Sequence, residues 1–584
     1  MTRLTTPSAV SLNGAPARPV GYGPGSPTGA VAAPAVGWGL PLAVLVAGMF
    51  MSVLDTSIVN VAIPTIQNDF GGTTDQVQWV VTGYTLTLGV VVPATAWLGD
   101  RFGLTRVYNL ALLAFAAGSA LCGLAWDLNS LVAFRIFQAI PGGILPVITL
   151  SILYRIVPRD RLGTAMGLYG LGIVVAPAIG PTLGGYLVEY VNWRLIFYIN
   201  VPIGILGALA AVLVLQRIPR VAGRRFDLLG FLTVGGGLFA LLLATSEGQS
   251  WGWGSYRILM LLTYSVLSLA LFVVIELQVA DPLLDIHIFR YWAFTNSLLL
   301  ISVLSVMLLG VVFYIPQFLQ VAQGWGALDS GLTLLPQALV MAALMPIAGR
   351  VYDRIGARWP AVLGLSIAAY GIYLLHTLTL DTPREHVMWV LMIYGLGLGM
   401  AMMPIMTGGI AAIPVAESNI ASAYNNVVRN AAGALGIAVL TAIWISQQAQ
   451  QLAGHAALLP ANTPTPHLGG PAVPHWVSTY ALYHQTQLQV FVAGIDDLFL
   501  IAAALAALGA VASLFLRSGP APTAPVGATP PAPVAAPAPT GNGALSRQPD
   551  PIPPAHTIAT NTATSPRPGD ELVGAQTNTT PPDR

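Results

Sequence analysis

Ala96-Trp97-Leu98-Gly99-Asp100-Arg101-Phe102-Gly103-Leu104-Thr105-Arg106 closes one long apolar run, and Gly349-Arg350-Val351-Tyr352-Asp353-Arg354-Ile355-Gly356-Ala357-Arg358 closes another. Both segments read Asp-Arg-x-Gly followed by a further Arg. An Asp at a helix end pairs readily with Arg, and Gly allows a tight reversal. One copy of so short a pattern is weak evidence. Two copies at matching ends of apolar runs point to a duplicated architecture, the way many transporters build alternating access.

The runs around these hairpins set the frame. A bilayer core of about 30 Å needs roughly 20 mostly apolar residues per helix. Fourteen such runs are centred near residues 52, 88, 116, 141, 175, 204, 237, 267, 306, 341, 368, 400, 433 and 506. The hairpins follow spans 2 and 10, so the repeat offset is eight. That spacing predicts two six-helix halves, 37–218 and 281–517, with two extra helices in 219–280 between them. Composition agrees: of 584 residues 55% are hydrophobic and 8% charged, against roughly 25% charged in soluble domains. Residues 1–36 and 518–584 are rich in Pro and Ala and read as disordered cytoplasmic tails outside the machine.

Arginine distribution predicts the orientation. With the N-terminus inside, the inner connections hold Arg101, Arg106, Arg155, Arg159, Arg161, Arg217, Arg220, Arg224, Arg225, Arg290, Arg350, Arg354, Arg358 and Arg517, while the outer ones hold Arg194, Arg257 and Arg384. Both termini are then cytoplasmic and the hairpins face the cytoplasm.

Several function classes fall away. All 24 basic residues are arginine, which excludes a P-loop lysine and any Schiff-base lysine. A net charge of +1 gives no case for nucleic-acid binding. HExxH and GxSxG motifs are absent, so the chain reads as no enzyme and needs no cofactor beyond an ion gradient. Cys122 has no partner for an internal disulfide. An outer loop over about 448–494 carries His455, His467, His475 and His484, whose spacing matches no metal-ligand pattern.

Further along, the chain contains Leu54-Asp55-Thr56-Ser57-Ile58-Val59-Asn60 in span 1, Arg135-Ile136-Phe137-Gln138 in span 4 and Ala176-Pro177-Ala178-Ile179-Gly180-Pro181-Thr182-Leu183-Gly184-Gly185 in span 5. Trp193-Arg194 to Asn200-Val201-Pro202 opens span 6, and Asn425-Asn426-Val427-Val428-Arg429-Asn430 lies in span 13. With the two hairpins, these segments resemble the 14-helix drug:proton antiporter branch of the major facilitator superfamily, the EmrB/QacA type, from about residue 40 to 517. Ala96 and Ala139 stand where that family has glycine, and both keep the side chain small. The resemblance implies an all-α integral membrane fold, two pseudo-symmetric six-helix bundles around a central cavity, with spans 1 and 4 as neighbours. It also implies that Gly172, Pro177, Gly180, Pro181 and Gly184 form the antiporter motif, and that Asp100, Arg101, Gly103, Arg106, Asp353 and Arg354 belong to the gate.

Charges inside the membrane are the strongest functional signal, since a central Asp or Arg costs about 2.5–3.5 kcal/mol to insert. Asp55 shares a polar face with Ser52, Thr56 and Asn60. Arg135 and Gln138 line one side of span 4. Asp55 is expected to carry the coupling proton and Arg135 to tune its affinity; a static ion pair joining two helices is the alternative. Arg429, with Asn425, is a second polar group, near the inner end of span 13. Glu276, Asp496 and Asp497 read as interfacial. Tyr84, Gln138, Phe313, Tyr314, Gln317, Tyr394, Asn425 and Arg429 are the expected cavity residues.

The function these readings favour is export of lipophilic, even cationic, compounds in exchange for protons. The alternatives are proton-coupled uptake, lipid or metabolite transport on the same fold, and a sensor that transports nothing. The partners are then a lipophilic small molecule, protons and the bilayer; on a periplasmic adaptor the sequence is silent.

Overall fold

The computed structural model describes residues 37–220, 225–458 and 475–516. Both tails, Arg224, His467 and Arg517 therefore lie outside the described residues. Among those described, fourteen helices are long and apolar enough to cross a membrane. They are α1 (Gly39–Phe70), α2 (Thr74–Phe102), α3 (Leu104–Gly123), α4 (Leu128–Ile156), α5 (Arg159–Tyr190), α6 (Leu195–Val214), α7 (Leu228–Trp251) and α8 (Tyr256–Glu276). After a linker come α9 (Trp292–Ala322), α10 (Asp329–Ile355), α11 (Arg358–Leu375), α12 (Arg384–Ala411), α13 (Val415–Gln451) and α14 (Tyr483–Ser513).

Local sequence explains the helix starts. Thr73 and Gln76 form a capping box at α2, and Asp127 with Ser130 forms another at α4. The two hydrogen bonds from Ser130 hold the Asp127 carboxyl below its usual range. Gly103 and Gly356, at φ 88° and 80°, make the reversals after both hairpin motifs, a backbone region that L-side chains avoid.

The outer loop anticipated over 448–494 is shorter than its polarity suggested. Helix runs from Ser418 to Leu458 and again from His475 to Ser513. Gln447, Gln448, Gln450 and Gln451 are polar yet good helix formers, so α13 continues past the apolar span.

Packing repeats with the offset of eight. In the first half α1 packs on α4, α5 and α6, α2 on α4, and α3 on α4 and α6. In the second half α9 packs on α12, α13 and α14, α10 on α12, and α11 on α12 and α14. The halves meet chiefly where α5 crosses α10. Helices α7 and α8 pack on each other, tied by Ser265 Oγ donating to the Gly237 carbonyl at 2.8 Å and Ser268 Oγ to Thr233 at 2.8 Å. Helix α7 also lies against α2 and α13, one from each half. Glu276, expected at the interface, is buried instead. It accepts from the amides of Leu283 and Leu284, both at 3.1 Å, which fixes the linker to the foot of α8.

Candidate functional site

Two polar assemblies stand out in an otherwise apolar bundle. In the first, Asp55 of α1 is ion-paired with Arg135 of α4, and their side chains are 0% and 1% exposed. Gln138 Nε2 and Asn200 Nδ2 donate to Asp55 Oδ1 at 3.0 and 2.9 Å, while Arg135 Nη1 bonds Asp55 Oδ2. Arg135 also donates to Gln138 Oε1 at 2.7 Å and, through Nε, to the Val80 carbonyl at 3.3 Å. Its guanidinium lies over the Tyr84 ring, 3.9 Å from the centroid. Gln138 is steadied in turn by Ser119 Oγ of α3.

Burying such a pair is tolerable only when the geometry is good and the remaining polar atoms are satisfied. Here both carboxylate oxygens have partners, drawn from α4 and α6. Asp55 and Arg135 meet as their positions in the sequence suggested, whereas Gln138, Asn200, Ser119 and the stacked Tyr84 were not expected in this cluster. A lone Asn inside the apolar α6 was the available signal for Asn200.

The second assembly is a cavity of about 300 Å3 between the halves, walled by α1, α2, α4, α5, α9, α12 and α13. Its lining is largely Leu, Ile, Val and Met, with Ser52, Thr56 and Ser305 adding hydroxyls. At one side α13 contributes Asn425, Asn426, Arg429 and Asn430. Arg429 Nη2 donates to Asn426 Oδ1 at 2.9 Å. Arg429 is the only charged residue in the lining. Asp55 does not line it, although Ser52 and Thr56 on the neighbouring face of α1 do.

Of the eight cavity residues anticipated, then, Asn425 and Arg429 line this space. The other six are placed elsewhere. Gln138 belongs to the Asp55 cluster, and Tyr84 stacks on Arg135. Tyr314 is buried against α13, bonded to Thr441 Oγ1 at 2.8 Å and packed on Trp444. Tyr394 is buried against Gly371 of α11. Phe313 is turned outward, and Gln317, in the last two turns of α9, does not line the chamber. Arg429, near the inner end of α13, faces the chamber.

The hairpin end of the bundle is closed. Asp353 at the foot of α10 accepts from the amides of Gly163 and Thr164 at 2.7 and 3.0 Å and from Thr164 Oγ1 at 2.9 Å, so it caps α5 of the other half. Its counterpart Asp100 accepts from Asn419 at the start of α13, again across the halves. Asp353 thus sits on a helix N-terminus of the opposite bundle, where a negative charge is favoured, while Asp100 is held by the side chain of Asn419. Arg101, Arg106 and Arg354 are exposed around this contact. Gly163, Gly167 and Gly170 of α5 abut Gly349, Met345 and Met403 of the second half.

Further along α5 the small residues serve a different neighbour. A Cβ on Gly180 would collide with Ser57 Oγ, and one on Gly184 would stand 2.9 Å from Ile58 Cγ1 and 3.0 Å from its carbonyl oxygen. Gly172 meets Met49 and Val46. This stripe therefore seats α5 against α1 beside Asp55. Pro177 lines the chamber, and Pro181 is exposed.

Duplicated six-helix halves, an interstitial chamber and an enclosed ion pair are the parts of a membrane transporter. Residues 45–437 match the family model of the Major Facilitator Superfamily, and the chain belongs to that family. It is 33% identical to the uncharacterized MFS-type transporter YhcA of Bacillus subtilis, over 82% of this chain and 92% of that protein. The tetracenomycin C resistance and export protein of Streptomyces glaucescens is 32% identical, with 72% and 79% covered. The multidrug export protein EmrB of Escherichia coli is 30% identical, with 71% and 81% covered. Among solved structures, the proton:xylose symporter XylE superposes with a TM-score of 0.55 at 13% identity, covering 83% of this chain and 97% of that one. That likeness concerns the fold. The protein is a multi-pass membrane transporter with drug-export relatives, not an enzyme.

Proposed function

We propose that this transporter exports lipophilic small molecules across the plasma membrane in exchange for protons, with Asp55 as the proton-carrying group. The observation that carries the reading is the enclosure of Asp55. A carboxylate held by Arg135, Gln138 and Asn200, beside the chamber but outside its lining, is suited to exchange with a proton only when the helices around it move. Its position on α1 links it to such a movement. Thr56, the next residue, lines the chamber, and Ser57 and Ile58 bear on the glycines of α5, whose first turns cross to the other half.

Alternating access then has two ends to work with. The hairpin end, taken as cytoplasmic from its arginines, is latched by Asp353 and Asp100. Opening it would break the Asp353 cap and the Asn419–Asp100 hydrogen bond and separate the Gly163–Gly349 contact. The apolar chamber supports lipophilic cargo, and export rather than uptake is supported by the names of the relatives.

The test is transport by the purified protein in proteoliposomes under an imposed pH gradient, with wild type beside Asp55→Asn. Uphill substrate movement by wild type, driven by the gradient and abolished in the variant, is expected. Equal gradient dependence in both would overturn the assignment of Asp55.

A further inference from the structure

The charge of the chamber says what it holds. We infer that the substrate is a lipophilic anion bearing a hydrogen-bond donor, bound with its negative group on Arg429 and its donor on Asn425. This deepens the reading of the chamber as the substrate site and rests on it.

Three observations on the chamber wall agree. Arg429 is the single charged residue of the lining, and among the described residues it makes no ion pair; it donates a hydrogen bond to the neutral Asn426. A guanidinium facing an apolar chamber without a counter-charge is costly, and a ligand anion would offset that cost. Carboxylates and similar planar anions suit its forked donors. Asn425, one turn before Arg429, is 3% exposed; its Nδ2 is spent on the Ala421 carbonyl at 3.0 Å, and its Oδ1 has no partner. That oxygen can only accept, so it calls for a hydroxyl or N–H on the cargo. Third, Asp55, the acid that would attract a cation, is spent on Arg135, Gln138 and Asn200 and is absent from the lining. A cationic drug entering here meets a like charge and no carboxylate. The rest of the wall, Leu, Ile, Val and Met, accepts an aromatic or aliphatic body, and about 300 Å3 is within the range of small-molecule sites.

The experiment is equilibrium binding to the full chain in lipid nanodiscs at neutral pH with no gradient, using the fluorescent aromatic acid hydroxynaphthoate, its methoxynaphthoate analogue and the cation tetraphenylphosphonium. Wild type should bind hydroxynaphthoate more tightly than either comparison probe. Arg429→Gln should weaken hydroxynaphthoate by about tenfold or more, as expected for loss of a charge-assisted hydrogen bond, with Arg429→Lys in between. The comparison of hydroxynaphthoate with methoxynaphthoate on wild type needs no variant, so it stands even if Arg429→Gln folds poorly. Absence of hydroxynaphthoate binding to wild type, equal binding by Arg429→Gln, or a preference for tetraphenylphosphonium would each overturn the inference. Because no gradient is applied, failure of proton coupling would leave these results intact, and the two readings fail separately.

Discussion

Gly163 of α5 and Gly349 of α10 meet backbone to backbone across the two halves. A Cβ on either would collide with the other's carbonyl oxygen. No side-chain movement can relieve such an overlap, so this contact sets how tightly the hairpin end can shut.

Gly349→Val should therefore hold that end open. Overpacking of this kind costs about 1–3 kcal/mol, enough to shift the closed-to-open ratio by roughly ten- to a hundredfold at the upper part of that range. The check uses a Cys122→Ser background, since Cys122 is the sole cysteine and is buried. A cysteine at Met402, in the chamber wall, should react faster with an impermeant thiol reagent from the hairpin side when Gly349→Val is present.

The glycines of α5 differ sharply in what surrounds them, which makes a paired test. Gly180→Ala drives its methyl into Ser57 and should lower thermal stability by about 1–3 kcal/mol and depress transport. Gly185→Ala has only Val61 nearby, at 3.9 Å, and should stay within about 0.5 kcal/mol of wild type. Unfolding in detergent and transport in vesicles read both effects.

Tyr84 separates a stacking role from a substrate role. Its ring covers Arg135, and its hydroxyl has no hydrogen-bond partner. Tyr84→Phe should keep both stability and gradient-driven transport. Tyr84→Leu should lose a desolvated cation–π contact of about 2 kcal/mol, seen as a lower unfolding temperature. A Phe variant that alters substrate binding would place the hydroxyl in contact with cargo instead.

How far the sequence reached follows from the same physics. Ionised residues are rare in hydrocarbon, so Asp55, Arg135 and Arg429 were conspicuous, and the duplicated Asp-Arg-x-Gly hairpins gave the repeat. The rotation of each helix was harder to read. Helices α9 and α12 have polar side chains scattered round them without a clear polar face, so little along Phe313, Tyr314, Gln317 or Tyr394 marks which side faces a chamber rather than a neighbour or lipid. Asn419 was missed because it becomes meaningful only once Asp100 of the other half is beside it. The polar extensions of α13 and α14 were read as loop because span length was judged by hydropathy, which says nothing about helix beyond the membrane.

A residue that couples transport to protons and one that merely joins α1 to α4 differ in what their loss leaves intact, and Asp55 is assigned to the first kind. The most direct measurement compares two modes of transport by Asp55→Asn in the same proteoliposomes: substrate–substrate counterflow, which needs no net proton movement, and uphill transport driven by a pH gradient. Asp55→Asn should keep counterflow and lose gradient-driven accumulation if Asp55 carries the proton. Accumulation that persists at the wild-type level would contradict it, and so would a loss of both modes in correctly folded protein.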